Sequence, residues 1–288
     1  MNSIKPERET IDYSPCRYEG SRTLFRGPKP ELNRPYISFY GGTETYGKFI
    51  PTPYPTIVGK TLGMPCVNLG VANAGPDFYL NEPAITHLGN KALATVIQIP
   101  SLQNITNQFF SVHPRRNDRF IQASPLLKSL LQHTDLSEVH FTGHLMRLLQ
   151  TLPAAQLATV VDDLRQTWLE RMTKLITSIN GPAILLWFAK EDCPSSPTQD
   201  DPFAVTRGMI ALLRPLVRNV VFAASHPAPA LKGICTTTHG MVFSPLDASI
   251  AEKHISLLGH EMAAAALVPC LTKIMPASRV SALQETDA

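Results

Sequence analysis

Short apolar runs recur along the chain, and each is rich in β-branched or aromatic residues. Each stops at Gly, Pro, Ser or Asn, a pattern typical of buried strands. Because their apolar residues are continuous rather than alternating, both faces of each strand are expected to be covered, as in a parallel sheet. The predicted strands are residues 36–40, 66–69, 95–99, 183–188 and 219–223.

Helical periodicity fills the intervals between these runs. The longest periodic segment, residues 154–179, carries an apolar stripe that includes Trp168 and Met172, and we interpret the stripe as core packing. It ends before Asn-Gly-Pro, a strong helix terminator. Further helices are predicted at residues 54–62, 82–91, 125–133, 137–149, 203–217 and 256–268. Alternating strands and helices predict an α/β fold with a doubly wound, five-stranded parallel sheet.

One interval, between residues 104 and 180, is too long for a simple crossover between strands. We assign residues 105–150 to a helical insertion after the third strand, with a role as a lid or an interface. Residues 1–35 are expected to form an irregular leader, residues 36–276 one domain that includes the insertion, and residues 277–288 a flexible tail.

The amino-acid composition indicates long uncharged loops and argues against one class of partner. Charged residues make up 17% of the chain, below the usual value of about 25%, and the 25 prolines gather in clusters that indicate long uncharged loops. The formal net charge of +3 is small and dispersed, which argues against a nucleic-acid partner.

The cysteines and the N-terminus indicate the compartment. Five widely spaced cysteines without a Cys-x-x-Cys pair argue against a disulfide framework or a zinc ribbon. The N-terminus lacks an apolar signal core, and no apolar run approaches the ~18 residues that span a bilayer. We therefore expect a soluble, cytoplasmic protein without a membrane partner.

Polar and glycine-rich segments follow the predicted strands, at the edge where open α/β sheets bind ligands. A hydroxyl needs a base to remove its proton, and a developing oxyanion needs donors held ready for it. Thr43, in the glycine-bounded turn at residues 41–47, supplies a hydroxyl, and His254 supplies a base. The backbone from Gly70 to Gly75 and the side chain of Asn104 are candidate oxyanion donors.

These segments resemble blocks of the SGNH (GDSL-like) hydrolase superfamily, which contains esterases and lipases with a flavodoxin-like sheet. The first block, Gly-Asp-Ser-x-Thr-x-Gly, is similar to residues 41–47, with Gly42 in place of Asp and Thr43 in place of the nucleophilic Ser. The resemblance implies that Thr43 is the nucleophile and extends to most of the chain.

The second and third blocks of that superfamily supply the oxyanion site. Residues 68–75 resemble the second block, in which either Asn73 or Gly75 corresponds to the oxyanion glycine. In the third block, Gly-x-Asn-Asp, the nearest match is Gln103-Asn104 or Asn104 alone.

The last block, Asp-x-x-His-Pro-x-x-x-Gly-His, is similar to residues 251–260, but Ala251 stands where the block has Asp. An Asp at this place orients the imidazole and stabilises its protonated form. The candidates for the carboxylate that orients His254 are therefore Asp247, Glu252 and Glu44.

The whole sequence also resembles a bacterial family of unknown function that shares residues 41–47 and the segment His-Pro-Arg-Arg-Asn-Asp-Arg-Phe at residues 113–120. The guanidinium groups of Arg115, Arg116 and Arg119 suit carboxylate, phosphate or sulfate. A solvated loop with an internal pair between Asp118 and an arginine explains this segment equally well.

Structural interpretations also exist for the candidate site residues. Thr43 can cap the segment that follows it, His254 can be a capping or surface residue, and Gln103 and Asn104 can simply end a strand. His140 and His144 have metal-ligand spacing on a predicted helix, but no third ligand is evident. We predict no metal and no cofactor.

The leading hypothesis is an SGNH-like hydrolase or acyltransferase that acts on an ester of a small or carbohydrate-linked substrate. Its site combines Thr43 and His254 with oxyanion donors, and Glu44 and the arginines as binding residues. The alternative is a non-catalytic SGNH-like protein that binds an anionic ligand, sulfated or phosphorylated. The sequence leaves the oligomeric state open.

Overall fold

A parallel sheet forms the centre of the protein. The computed structural model describes residues 10–132, 134–225 and 238–275. It contains the strands β1 (Ile37–Tyr40), β2 (Cys66–Asn68), β3 (Ala94–Gln98), β4 (Phe110–His113), β5 (Arg116–Ala123), β6 (Ala183–Ala189) and β7 (Asn219–Ala224). Five of them form one sheet in the order β2-β1-β3-β6-β7, and each adjacent pair in it is parallel. This is the flavodoxin-like order, and the predicted doubly wound fold is confirmed.

Helices cover both faces of the sheet. The described helices are α1 (Thr43–Tyr46), α2 (Tyr54–Thr61), α3 (Pro76–Leu80), α4 (Pro83–Lys91), α5 (Pro125–Leu130), α6 (Thr142–Leu149), α7 (Ala154–Thr177), α8 (Arg207–Leu213), α9 (Ala248–Ala251) and α10 (Leu257–Thr272). The sequence predicts the longer ones but not the short α1, α3 and α9, because a single turn carries too few residues to show a period.

Two apolar layers explain why most residues of the strands are apolar. Phe39 and Val96 point to one face, where they pack with residues of α2 and α10. Ile97 and Leu185 point to the other face and join the layer that contains Trp168 of α7. Trp168 is fully buried, which confirms that its stripe is core.

The insertion after β3 begins with a β-hairpin. Strands β4 and β5 pair antiparallel, with irregular register near Val112, and α5 and α6 follow them. The predicted helical insertion is therefore correct only for its second half. The sequence pattern does not predict strand β5, because this strand is mostly polar and lacks a clear apolar alternation. Its sequence is Arg-Asn-Asp-Arg-Phe-Ile-Gln-Ala.

The described part of the leader, residues 10–35, has no helix or strand beyond the isolated bridge between Cys16 and Phe25. Arg26 anchors it and is only 5% exposed. The Arg26 guanidinium donates to four carbonyl oxygens at 2.6 to 3.1 Å, those of Tyr46, Gly47, Ile50 and Pro51. The leader thereby holds the chain that follows α1. The predicted tail, residues 277–288, lies outside the described residues.

His260 belongs to the core rather than to the sheet edge where His254 lies. Its side chain is fully buried against Tyr54 and Phe188. Its Nδ1 accepts a hydrogen bond from the backbone N–H of Tyr54 at 3.1 Å, while its Nε2 has no hydrogen-bond partner. Burial, with a smaller contribution from the Arg26 charge, lowers the pKa of His260 to about 3.

This lowered pKa predicts a loss of stability in acid. The unfolded chain takes up a proton at His260 below its ordinary pKa of 6.5, whereas the folded protein does not until about pH 3. The contribution to stability is therefore complete above pH 6.5 and falls by about 1.4 kcal/mol per pH unit below it.

His260→Asn should flatten the pH dependence of the urea midpoint between pH 4 and pH 7, because Asn keeps an acceptor for Tyr54 N–H but does not titrate. His140→Asn, at an exposed histidine, is the control and should keep the wild-type slope. Equal slopes in wild type and His260→Asn would contradict a neutral, buried His260.

Candidate active site

The turn after β1 places Thr43 at the carboxyl edge of the sheet. Gly41 begins the turn, and only glycine fits there, because a Cβ would lie 2.0 Å from Thr45 Oγ1. The chain then enters α1 at Thr43 and leaves it through Gly47, which has a left-handed φ of 75°. Because β1 pairs with β2 on one side and β3 on the other, Thr43 lies at the point where the strand order reverses.

The Gln98 side chain fixes this turn through hydrogen bonds. It is the last residue of β3, and its Oε1 accepts hydrogen bonds from Gly42 N–H at 3.1 Å and from Thr45 N–H at 3.2 Å. The Thr45 hydroxyl donates to the same oxygen at 2.6 Å and must therefore accept from the Tyr54 hydroxyl, 2.8 Å away. A buried polar network thus fixes the backbone on either side of Thr43.

Asn73 binds the Thr43 hydroxyl through two of its own groups. The backbone N–H of Asn73 donates to Thr43 Oγ1 at 3.0 Å, and Thr43 Oγ1 donates to Asn73 Oδ1 at 3.1 Å. Asn73 has a left-handed φ of 56°, a conformation that Asn tolerates better than most residues. The hydroxyl is therefore held by a neutral amide.

The insertion supports Asn73 from two directions. Asp118, on β5, accepts a hydrogen bond from Asn73 Nδ2 at 3.0 Å. Asn104 Nδ2 donates to the Asn73 carbonyl oxygen at 2.8 Å, while Asn104 Oδ1 accepts from the Thr142 hydroxyl of α6 at 2.7 Å. The hairpin and α6 therefore fix the loop that holds Thr43.

His254 meets a carboxylate of the same turn. Its Nδ1 lies 2.7 Å from Glu44 Oε1, and Glu44 Oε2 accepts a hydrogen bond from Ile255 N–H at 3.3 Å. Both side chains of the pair are mostly buried. Ala251 is fully buried, so the place of the missing Asp is filled by packing and Glu44 contacts His254 instead. Of the three carboxylates left open by the sequence, Glu44 is the one that contacts the ring.

The other predicted oxyanion donors have partners of their own. Gly70 N–H donates to Asn68 Oδ1 at 2.9 Å, and Gly75 N–H donates to Asn117 Oδ1 at 2.8 Å. A Cβ at Gly70 would lie 2.3 Å from Tyr46 N, so this glycine permits close packing below α1. Asn104 supports Asn73, and Gln103 lines a cavity beside the site. Of the predicted oxyanion set, only Asn73 contacts Thr43.

The predicted arginines lie on the hairpin. Arg115 and Arg116 are exposed at its turn, where their backbone N–H groups donate to His113 Nδ1. The Arg119 guanidinium lies 5.5 Å from the centre of the Phe141 ring. Asp118 bonds Asn73, which differs from the predicted pair with an arginine.

Several residues of this arrangement lie outside the predicted site, among them Gln98, Asp118 and Asn117. Asn117 is fully buried and fastens the hairpin to the second block, because its Oδ1 also accepts from Phe78 N–H at 3.1 Å. The sequence contains a signal for each of them. Gln98 is a polar residue at the end of an apolar strand, and Asn117 and Asp118 are adjacent polar residues in the basic segment.

Within residues 10–132, 134–225 and 238–275, the chain contains no group of three or more His, Cys, Asp or Glu residues arranged to hold a metal ion. His140 precedes α6 and so does not share that helix with His144. No helix there combines the length and the apolar character that crossing a bilayer requires.

Comparison with known proteins gives one family and several similar folds. The family model described as "Domain of unknown function (DUF6473)" matches residues 1–275. A search of curated proteins found no match.

Among solved structures, the chain is similar to a member of the lipolytic protein G-D-S-L family from Veillonella parvula, with 11% identity, a TM-score of 0.41, and coverage of 83% of this chain and 100% of the other. It is similar to an extracellular lipase from Streptomyces rimosus, with 9% identity, a TM-score of 0.44, and coverage of 84% and 100%. A catalytic mutant of Axe2, an acetylxylan esterase from Geobacillus stearothermophilus, shows 13% identity, a TM-score of 0.39, and coverage of 82% and 94%.

Proposed function

We propose that this chain, which belongs to the family described as Domain of unknown function (DUF6473), catalyses ester hydrolysis or acyl transfer. Thr43 is the nucleophile and His254 is the base. The observation that carries the proposal is the 2.7 Å contact between His254 Nδ1 and Glu44 Oε1. Glu44 directly follows Thr43, and consecutive Cα atoms are about 3.8 Å apart. The His254 imidazole and the Glu44 carboxylate therefore lie next to the turn that carries the Thr43 hydroxyl.

The reaction begins when the Thr43 hydroxyl turns from Asn73 Oδ1 towards His254. With Nδ1 facing Glu44, the proton of Thr43 passes to Nε2 as Oγ1 attacks the ester carbonyl carbon. The Asn73 N–H, which donates to Oγ1 at 3.0 Å, becomes a donor for the carbonyl oxygen that develops into an oxyanion.

Collapse of this intermediate completes the transfer. The bond between the carbonyl carbon and the alkoxy oxygen breaks, and the leaving alkoxide takes the proton from His254. Water, or an acceptor hydroxyl in the acyltransferase case, then gives its proton to His254 and attacks the acyl-threonine. The bond between the acyl carbon and Thr43 Oγ1 breaks, and Oγ1 takes the proton back from His254, which releases the acid or the new ester and restores the free hydroxyl. Glu44 stabilises the imidazolium that forms in both halves of the reaction.

A second candidate is the non-catalytic binding of an anionic ligand. It is favoured by the closed pair of hydrogen bonds between Thr43 and Asn73, which leaves the hydroxyl without a base in this arrangement. Arg115 and Arg116, exposed at the hairpin turn, would then contact a sulfate or phosphate group.

Ester turnover, covalent labelling and thermal stability separate these candidates. The esterase proposal predicts turnover of 4-nitrophenyl acetate and a fluorophosphonate adduct that peptide mass spectrometry finds on Thr43. The binding proposal predicts neither, but instead a rise in Tm with sulfate or phosphate that disappears in Arg115→Gln/Arg116→Gln. Arg214→Gln/Arg218→Gln, which precedes β7 at the opposite edge of the sheet, is the matched control. An adduct elsewhere in the chain, with turnover, would contradict the role of Thr43.

A further inference from the structure

A cavity of about 620 Å³ opens beside the Thr43 site. It lies past the carboxyl ends of β3 and β6, between α6 of the insertion and the proline-rich loop that precedes α8. Neither Thr43 nor His254 lines it, so the cavity is separate from the reacting groups themselves.

The cavity and the Thr43 site share one wall. Residues 99–103 line the cavity, and the two residues that flank this segment belong to the site. Gln98, before the segment, holds the backbone around Thr43, and Asn104, after it, holds Asn73. Residues 99–103 therefore connect the cavity lining to the two residues that position the Thr43 loop.

The buried residues of the cavity lining are apolar. Leu102, Met146 and Phe188 are buried there, and the half-buried side chains of Trp187 and Phe203 add aromatic surface. Burial of alkyl or aryl groups against such a surface is favourable in proportion to the area removed from water. A long or aromatic group removes more area from water against these side chains than a small polar group does.

Charge at the rim argues against an anionic occupant. Glu191 and Asp201 are exposed around the opening, and Arg147 of α6 is the one Lys or Arg among the described residues that line it. An uncharged acyl group enters this field without repulsion, whereas a carboxylate, sulfate or phosphate is disfavoured.

We propose that the cavity binds the alkyl or aryl part of the acyl group, so that the preferred substrate is an uncharged ester of a medium-chain or aromatic acid. The proposal rests on the function proposed above for Thr43, because it places the acyl carbon next to that hydroxyl. The insertion, through Met146, then helps to set the choice of acyl group.

The kinetic test compares 4-nitrophenyl acetate with 4-nitrophenyl hexanoate. Each methylene that is fully buried should raise kcat/KM about fourfold, so partial burial still predicts at least about a tenfold preference for hexanoate. Ala204→Phe, at a half-buried residue of the wall, fills the cavity and should bring the hexanoate-to-acetate ratio close to one. Ala158→Phe, at an exposed site on α7, should keep the wild-type ratio.

A binding test is independent of turnover. The chain has two tryptophans, Trp187 in the cavity wall and Trp168 in the core. The non-hydrolysable 4-nitrophenyl hexyl ether should quench Trp187 fluorescence in wild type and in Thr43→Ala. The quenching should disappear in Trp187→Phe and should weaken at least about tenfold in Ala204→Phe.

The two tests separate the two proposals. Quenching that depends on Trp187 and Ala204, without ester turnover, would support the cavity and reject the reaction at Thr43. Turnover that needs Thr43, with equal rates for acetate and hexanoate and no quenching, would reject the cavity as the acyl site. Quenching that Ala204→Phe leaves unchanged would place the probe elsewhere and also reject it.

Discussion

Thr43→Val should lower kcat/KM for ester hydrolysis by at least about 10³-fold and abolish fluorophosphonate labelling, because it removes the attacking hydroxyl. Valine keeps the branched shape of threonine and removes only the hydroxyl. The change also removes the hydrogen bond from Asn73 N–H at 3.0 Å and that to Asn73 Oδ1 at 3.1 Å. A loss of about 1 to 2 kcal/mol in the free energy of unfolding is expected from this pair.

Thr43→Ser is the informative partner of this variant. Serine keeps the hydroxyl but lacks the methyl group that restricts χ1, so its oxygen turns more freely from Asn73 towards His254. Turnover equal to or faster than that of wild type is expected. Thr159→Val, at an exposed threonine of α7, controls for the loss of a hydroxyl elsewhere. Full labelling of Thr43→Val would reject Thr43 as the nucleophile.

The sheet was predictable because its signal is local. The central strands β1, β3 and β6 are buried on both faces, so most of their residues are apolar, and a polar or turn-forming residue ends each run. The hairpin lacks such a signal. Strand β5 is polar because much of it faces solvent, and what holds it in place is Asn117, whose partners Gly75 and Phe78 lie far away in the sequence.

For the candidate site, the sequence predicts which edge of the sheet carries the residues but not which side chains contact each other. Thr43 and His254 follow strand ends, so sequence order alone brings them to one edge. The partners of their side chains depend on tertiary packing that no local pattern records. Glu44 was one of three possible carboxylates, and its contact with His254 follows from the approach of the segment before α10 to α1. Asp118 reaches Asn73 only because the hairpin folds back over the second block.

His254→Ala should lower kcat by about 10² to 10⁴, the usual contribution of a positioned base. Glu44→Gln tests the carboxylate alone. Gln keeps an oxygen that can accept from His254 Nδ1 or from Ile255 N–H, contacts that Glu44 makes at 2.7 and 3.3 Å, but it lacks the charge that stabilises the imidazolium. A loss of about 10² in kcat with little change in Tm is therefore expected.

The double variant decides whether Glu44 acts through His254. If the carboxylate only orients and stabilises the imidazole, Glu44→Gln has nothing left to remove once His254 is Ala, and the double variant should be no slower than His254→Ala alone. Fully additive losses would mean that Glu44 contacts the substrate directly. Glu252→Gln and Asp247→Asn change the two carboxylates that do not contact the ring, and both should keep wild-type kcat. A loss in either of them as large as in Glu44→Gln would transfer the orienting role away from Glu44, because the three changes alter charge equally and differ only in their contact with His254.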